Sequence, residues 1–366
     1  MSHRPDLGFF DEGHDLAGPA FYADAIGDGG KALMLPPAAV RSLAFTHLED
    51  EAVWTRDWIC VGSHEAIPNV GDLLPFTVGV HGVHVQRTDD GLAARFNKAQ
   101  HGGCRAIPLQ CQTGAKTKCS FTSCGYSRDR RAIPATELGD GTPEMHQYLG
   151  LRPERLLSAQ AKSWGPLIFV NLDVAPDWPE QSLRLLGRTM GAFGNHKAER
   201  SSELWLEYPA NWKLLGTALA EGEPIGEDRR GGWTVSTTTL ADGQGATVAW
   251  LFPNLVLIST ETETAVAVLQ QTAIGQTLCR LSVYGAAPEA SMDRWRAEIE
   301  ERAANGVEAH RALSRFGTSH RPETIGQPLP AQTSPLAAWM QRTLADRVAR
   351  APLGPIDQPL FQNPKG

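Results

Sequence analysis

The hydrophobic pattern of this 366-residue chain changes near residue 175. Before that point, short alternating segments are separated by turn residues, as in LLPFTVGVHGVHVQRTDDGLAARFN, where TDDG predicts a hairpin turn. After it, helical patterns flank a run of strand-like segments at 233–285. The sequence therefore predicts an α+β fold class, in which an all-β domain is followed by a sheet with packed helices.

The predicted limits follow this change of pattern. We assign 1–48 to an N-terminal arm and first helix, 49–175 to the all-β domain and 176–366 to the second domain. The apolar segment SWGPLIFVNLD at 163–173 is predicted to be one strand that closes the first domain.

Helices and one loop are predicted in the second domain. The segments WPEQSLRLLGRTMGAF and NWKLLGTALAEGE are predicted to be short helices, and SMDRWRAEIEERAANGVEAHRALSRF a long amphipathic one. A last helix is predicted to have Ser334 as its N-cap and Pro335 at its first helical position. The segment AEGEPIGEDRRGG is predicted to be an acidic exposed loop.

Charge and hydropathy exclude some classes of partner. With 41 acidic against 34 basic residues, the net charge of -7 gives no basis for binding nucleic acid or an anionic membrane. No apolar run approaches the roughly 18 residues that a membrane helix needs, and the first residues do not have the pattern of a signal peptide. We therefore expect a cytoplasmic protein, in which clustered cysteines indicate a metal more often than a disulfide.

The cysteines fall into two groups. Two of them stand alone and are predicted to be buried small hydrophobic residues: Cys60 and Cys279. The other four are clustered: Cys104, Cys111, Cys119 and Cys124.

Ordered landmarks run through most of the chain. They are VWTRDWICVG, FNKAQHGG, CSFTSCGY, SWGPLIFVNLD and NWKLLGTALAEGE. In this order and spacing, the chain from about Leu35 onward resembles the alpha subunit of the Rieske non-haem iron oxygenases. The resemblance implies a Rieske-like all-β domain followed by a helix-grip domain of the SRPBCC/START-like type, with an antiparallel sheet and a long C-terminal helix.

The resemblance also implies a cluster site whose ligand pattern is incomplete here. A Rieske 2Fe–2S cluster is held by two cysteines and two histidines, which the family supplies as Cys-x-His and Cys-x-x-His. His101 and Cys119 match two of these positions, whereas Ala99 and Thr122 occupy the other two. Because alanine cannot bind iron and a neutral threonine hydroxyl is a poor ligand, an intact cluster is not expected.

A second implied site binds mononuclear Fe(II) through two histidines and a carboxylate. When the family pattern is laid on Asn211, Trp212 and Lys213, Glu221 keeps the family's glutamate. The bridging acid and the two histidines are replaced by Thr217, Pro224 and Arg229, respectively. The sequence has no histidine between His196 and His310, so mononuclear iron is not expected. The later carboxylate has no assigned position; acidic residues of the long helix are Asp293, Glu301 and Glu308.

The clustered cysteines can serve a different metal. In the family's architecture the two ligand hairpins face each other, so His101, Cys104, Cys119 and Cys124 can converge on one ion, and Cys111 can replace one of them. Zinc suits three thiolates and one imidazole. Free thiols, a disulfide between the loops and an unusual iron-sulfur centre remain as alternatives.

Three functions follow from this resemblance. The first is a non-catalytic alpha-like subunit, a pseudoenzyme that joins a catalytically competent Rieske oxygenase alpha subunit in a trimer-like hetero-oligomer acting on a hydrophobic substrate. The second is a free-standing protein that binds a small apolar ligand and carries a structural zinc. The third is an active oxygenase with relocated metal ligands.

Overall fold

The computed structural model describes residues 14–26, 32–96, 132, 135, 158–190, 201–315 and 334–350. These residues form two compact units. One unit contains the described residues from Trp54 to Trp178, and the other contains those up to Val53 together with those from Pro179 onward. No helix in the described ranges has the length and apolar character needed to cross a membrane.

The first unit is built on an antiparallel sheet. Its strands are β1 (Ile59–Ser63), β2 (Leu73–Val78), β3 (His81–Thr88), β4 (Gly91–Phe96), β5 (Ser158–Trp164) and β6 (Leu167–Asn171), and a short 3-10 helix covers His64–Ala66. In the described part of the sheet the order is β1-β6-β5-β4-β3-β2. The predicted TDDG turn is confirmed, since β3 pairs with β4 up to Thr88 opposite Gly91.

The prediction of one strand at 163–173 is wrong. The segment contains the end of β5, a tight turn and β6, which also pairs with β1. Gly165 has a φ of 55°, a left-handed conformation that glycine adopts without steric cost, and it reverses the chain there. Because the segment is apolar almost throughout, its sequence pattern did not indicate the hairpin turn.

The second unit combines helices with a second antiparallel sheet. Its strands are β7 (Ser201–Tyr208), β8 (Glu223–Asp228), β9 (Trp233–Thr239), β10 (Gly245–Leu251), β11 (Leu255–Ser259), β12 (Glu263–Ala273) and β13 (Gln276–Gly285), in the order β7-β13-β12-β11-β10-β9-β8. Its helices are α1 (Pro19–Tyr22), α2 (Ala38–Arg41), α3 (Leu43–Glu49), α4 (Glu180–Thr189), α5 (Trp212–Leu219), α6 (Pro288–Arg315) and α7 (Pro335–Val348). A π-helical turn spans Asp50–Trp54.

Helix α5 lies against one face of this sheet. Gly216 approaches the Trp250 ring so closely that a Cβ there would lie 2.6 Å from it. At the two ends of α5, the Thr277 hydroxyl donates to the Ala210 carbonyl at 2.8 Å and the Ser236 hydroxyl to the Ala220 carbonyl at 3.1 Å. Five apolar residues of this unit are buried in its core: Trp250, Phe252, Leu255, Leu257 and Trp295.

The N-terminal segment packs on the last helix. The side-chain oxygen of Gln341 accepts from the Leu35 backbone N–H at 2.7 Å, and its amide nitrogen donates to the carbonyls of Ala25 and Leu33. Ser334 caps α7 by accepting from the Ala337 N–H at 3.2 Å, with Pro335 at the first position, as predicted. The described part of 1–48 thus belongs to the same compact unit as α7.

The prediction of an exposed loop for AEGEPIGEDRRGG is wrong in part. Residues Glu223–Asp228 form β8, which pairs with β9 at the edge of the sheet. Its side chains are nearly all exposed, so the strand is held by backbone hydrogen bonds and shows no apolar alternation that a sequence pattern would reveal. The exposure was predicted correctly, but the strand was not.

Both isolated cysteines lie in hydrophobic cores, as the sequence predicted. Cys60 in β1 and Cys279 in β13 are 0% exposed. Burial raises the pKa of the Cys279 thiol to about 12, which keeps it protonated and unreactive near neutral pH. Cys279 is therefore a packing residue.

Candidate functional site

The Asn-Trp-Lys segment begins helix α5, and polar contacts fix its position. The Asn211 side-chain oxygen caps the helix by accepting from the Lys213 backbone N–H at 3.1 Å. The Asn211 amide nitrogen donates to the Ile274 carbonyl at 2.9 Å, and the ring of Trp212 is completely buried. This motif thus joins α5 to the hairpin between β12 and β13.

A buried ion pair anchors the same helix to α3. The Lys213 ammonium lies 2.5 Å from the Glu49 carboxylate, and both side chains are 1% exposed. The ammonium also lies over the rings of Phe45 and Trp212. Burial raises the pKa of Glu49 and lowers the pKa of Lys213, while their mutual attraction opposes both shifts. Because water does not reach the pair, its role is to position α5.

A residue of α6 holds the backbone at the point where the chain leaves α5. The Arg302 guanidinium donates to the carbonyls of Leu219 and Glu221 at 3.3 and 3.0 Å, which satisfies acceptors at the C-terminus of α5. The same side chain forms an ion pair with Glu298 at 2.6 Å. These contacts fix the path of the backbone toward β8, where the family pattern expects metal ligands.

Three residues stand where the family pattern has an acid and two histidines. Each of them either bonds to another protein group or has no atom that can bind a metal. Thr217 donates its hydroxyl hydrogen to the Lys213 carbonyl at 2.8 Å, within its own helix. Pro224 lies in β8 and has no side-chain donor atom. Arg229 follows β8, and its guanidinium lies 2.6 Å from the Asp346 carboxylate of α7. A guanidinium and a pyrrolidine ring cannot coordinate iron.

The remaining acidic candidates do not complete an iron site. Glu221 accepts from the Ser334 hydroxyl at 3.5 Å. The acidic residues of α6 that the sequence singled out are exposed: Asp293, Glu301 and Glu308. Within the described ranges, no three histidine, cysteine, aspartate or glutamate side chains come together in a group that could hold a metal ion. The described residues therefore do not fit the two-histidine, one-carboxylate site of a ferrous oxygenase.

The cluster positions lie outside the described residues. They are Ala99, His101, Cys104, Cys111, Cys119, Thr122 and Cys124. The zinc site that the sequence suggests, and the loss of the Rieske cluster, therefore stay predictions.

Sequence reasoning did not find a cavity that lies between strands β8 and β9 and helix α7. Its volume is about 120 Å³. Residues that line it include Pro224, Glu227, Thr234, Ser236, Trp339 and Arg342. Its one signal in the sequence is the acidic segment of β8, whereas the arginine and the tryptophan come from α7.

No protein-family model matches the chain. Comparison with individual proteins finds oxygenase subunits that are similar to it in sequence. The glycine betaine monooxygenase oxygenase subunit of Pseudomonas aeruginosa is 26% identical over 195 residues, which cover 53% of this chain and 44% of that protein. The biphenyl 2,3-dioxygenase subunit alpha of Rhodococcus jostii is 27% identical over 147 residues, covering 39% and 31%. The chain thus matches less than half the length of these curated relatives.

Solved structures show the same fold. A quaternary ammonium Rieske monooxygenase in complex with its substrate gamma-butyrobetaine aligns with a TM-score of 0.61 at 15% identity, covering 93% of this chain and 99% of that one. A naphthalene 1,2-dioxygenase variant bound to phenanthrene aligns with a TM-score of 0.57 at 12% identity, covering 84% and 85%.

The fold is that of the Rieske oxygenases, with a β domain and a second domain of antiparallel sheet and long C-terminal helix. The chain is a homologue of the alpha subunits of these oxygenases. The family resemblance drawn from the sequence landmarks is therefore confirmed.

Proposed function

We propose that this protein is a non-catalytic, alpha-like subunit that assembles with a catalytically competent Rieske oxygenase alpha subunit. The observation that carries the proposal is the chemistry after helix α5. Pro224 and Arg229 stand where the family pattern has histidines, and Arg229 forms an ion pair with Asp346. Within the described part of this unit, no three histidine, cysteine, aspartate or glutamate side chains form a group that could hold ferrous iron.

The surrounding scaffold supports a retained structural role. The Lys213–Glu49 pair and the buried indole rings of Trp212 and Trp250 keep α5 packed between α3 and the sheet. A chain that had lost its function without selection would not be expected to retain a buried ion pair, because breaking such a pair is strongly destabilising. The scaffold is thus suited to shaping an assembly whose chemistry occurs on the partner.

The assembly we propose is a trimer-like hetero-oligomer. The curated relatives are themselves named as subunits of oxygenases, which supports a role in a complex. Their names give glycine betaine and biphenyl as the compounds on which those two proteins act. For the complex proposed here, we propose a hydrophobic substrate.

The test is co-expression with an intact Rieske oxygenase alpha subunit. The affinity-tagged chain should copurify the intact subunit at a fixed ratio, and oxygenase turnover should depend on the iron of the intact subunit alone. Arg184→Gln, on the exposed face of α4, is a surface control that should leave the ratio unchanged. Turnover by this chain purified alone, with iron bound, would refute the proposal.

The cavity between β8, β9 and α7 supports the second function, a free-standing protein that binds a small apolar ligand. In that case the chain would be stable without a partner and would bind its ligand alone. The zinc proposed at His101, Cys104, Cys119 and Cys124 serves as a structural staple in either function. Cys119→Ser should lower the zinc content and the stability together.

A further inference from the structure

A half-buried histidine joins the connection between β1 and β2 to two other strands of the first unit. His64 begins the short 3-10 helix of that connection, and its backbone N–H donates to the Pro166 carbonyl at 2.9 Å. Its Nδ1 atom lies 2.8 Å from a guanidinium nitrogen of Arg87 in β3, and its Nε2 atom lies 2.9 Å from the Ser163 hydroxyl oxygen in β5. We call the side chains of His64, Arg87 and Ser163 the His64 cluster.

The chemistry of arginine fixes the protonation state of this imidazole. A guanidinium is charged throughout the physiological pH range and can only donate hydrogen bonds. The Nδ1 atom of His64 must therefore accept from Arg87, which requires a neutral ring with its hydrogen on Nε2. That hydrogen is donated to the Ser163 hydroxyl oxygen. The His64 cluster can thus keep both bonds only while the imidazole is neutral.

Arg87 also holds the backbone of the same connection. Its Nε atom donates to the Ile67 carbonyl at 3.1 Å, and a terminal guanidinium nitrogen lies 3.5 Å from the His64 carbonyl. At the other end of the connection, the backbone N–H of Arg87 donates to the Asp72 carbonyl at 3.0 Å. The segment 64–72 is therefore attached to β3 at both ends, and the His64 cluster holds its start.

The charges that act on His64 oppose its protonation. Burial and the charge of Arg87 lower the pKa of His64, and the opposite effect of Glu65, its neighbour in the chain, is smaller. Ser163, which faces the ring from β5, is uncharged. A proton on Nδ1 would remove the atom that accepts from Arg87 and place two cations against each other. Protonation of His64 is therefore incompatible with its contact to Arg87.

We propose that the His64 cluster is a pH-sensitive attachment of the segment 64–72. At neutral pH the uncharged ring joins the segment to β3 and β5. Below about pH 6.5, progressive protonation breaks the bond between His64 and Arg87, and the start of the segment separates from β3 while the rest of the first unit stays folded. The cluster involves no metal and no partner subunit, so this attachment can hold or fail independently of the proposed function.

Nitrogen NMR spectra of the imidazole rings in the full chain, recorded from about pH 8 to about pH 4.5, test the proposal. The variant His64→Gln identifies the signals of His64 among the 11 histidines. At the alkaline end we expect the hydrogen on Nε2, and on acidification the ring should titrate with a midpoint below about 6.5. The backbone amide signals of Ile67 and Asn69 should shift with the same midpoint, before the chain unfolds as a whole.

Three results in this titration would overturn the proposal. The first is a neutral ring with its hydrogen on Nδ1. The second is a midpoint at or above about 6.5. The third is a His64 ring that stays neutral, or amides of Ile67 and Asn69 that do not shift, until tryptophan fluorescence reports unfolding of the whole chain.

Two variants separate the effect of Arg87 from that of burial. Arg87→Gln keeps a side-chain donor but removes the positive charge, so the proton affinity of His64 should rise by about threefold or more. Arg95→Gln is a matched control in the same sheet, because Arg95 donates to Gln86 and acts on His84. An unchanged midpoint in Arg87→Gln would refute the cluster. If that variant does not fold, the tautomer and the midpoints of the unchanged protein still decide.

Discussion

The ammonium of Lys213 lies 2.5 Å from the carboxylate of Glu49, and the two side chains are buried to the same extent, at 1% exposure each. Lys213→Met would leave the Glu49 carboxylate buried without its counter-charge. We expect a loss of about 3–5 kcal/mol in the free energy of unfolding, measured by urea denaturation.

A double variant separates the ion pair from the packing around it. Glu49→Leu combined with Lys213→Met should be less destabilised than Lys213→Met alone, because no unpaired charge remains. Arg184→Gln breaks the Arg184–Glu180 pair, whose side chains are 70% and 60% exposed, and should cost less than about 1 kcal/mol. If Lys213→Met cost as little as this control, the pair would not anchor α5.

Stability of the β unit should depend on pH through His84. This residue of β3 is 0% exposed, and neither ring nitrogen has a hydrogen-bond partner in the described structure. Burial, helped by the charge of Arg95, lowers the pKa of His84 to about 3. Well above pH 6.5 the imidazole is neutral in both the folded and the unfolded state, so its titration does not change the stability there.

Below that pH the unfolded state takes up a proton that the folded state refuses, so stability falls progressively from about pH 6.5 to pH 3. The difference should reach about 2 kcal/mol at pH 5. His84→Leu should remove this part of the slope, which urea denaturation at a series of pH values measures. An identical slope in the variant would show that His84 is not the group responsible.

The contact between α5 and the sheet predicts the effect of a single methyl group. A Cβ at Gly216 would lie 2.6 Å from Cζ2 of Trp250, whose ring is also packed on that of Trp339. Gly216→Ala should therefore destabilise the protein by about 1–3 kcal/mol, although alanine is the better helix former. In Gly245→Ala the new Cβ meets nothing within 4 Å, so its thermal midpoint should stay close to that of the unchanged protein.

Local patterns predicted much of this fold. The Ser334 cap with Pro335 and the turn between Thr88 and Gly91 were recognised because a few adjacent residues determine them. Strand β8 was missed because its hydrogen bonds to β9, and not its side chains, stabilise it. The Glu49–Lys213 pair joins residues 164 positions apart, a distance over which no local pattern carries information.

For the candidate site, the sequence predicted which residue types occupy the ligand positions, but not which residues contact them. Ordered landmarks located Thr217, Pro224 and Arg229, and the residue types alone argued against iron. The partner of Arg229 and the cavity beside Pro224 depend on how α7 docks on the edge of the sheet. Because packing between residues far apart in the chain determines how α7 docks, these contacts could not be predicted from the sequence.

The incomplete cluster motif predicts that two substitutions can restore it. Ala99→Cys and Thr122→His together complete the Cys-x-His and Cys-x-x-His pattern with His101 and Cys119. After reconstitution with iron and sulfide, the double variant should gain the visible absorption of a Rieske cluster, whereas each single variant should not. If the double variant stayed colourless, the assigned register of these ligand positions would be wrong.

The central claim is that this chain has no oxygenase metal centres of its own. The most direct test is metal analysis together with an ultraviolet-visible spectrum of the protein purified anaerobically, alone and with an intact alpha subunit. We expect about one zinc per chain and no visible absorption for the protein alone. About two irons per chain with the red-brown spectrum of a Rieske cluster would contradict the claim and make this protein an electron carrier.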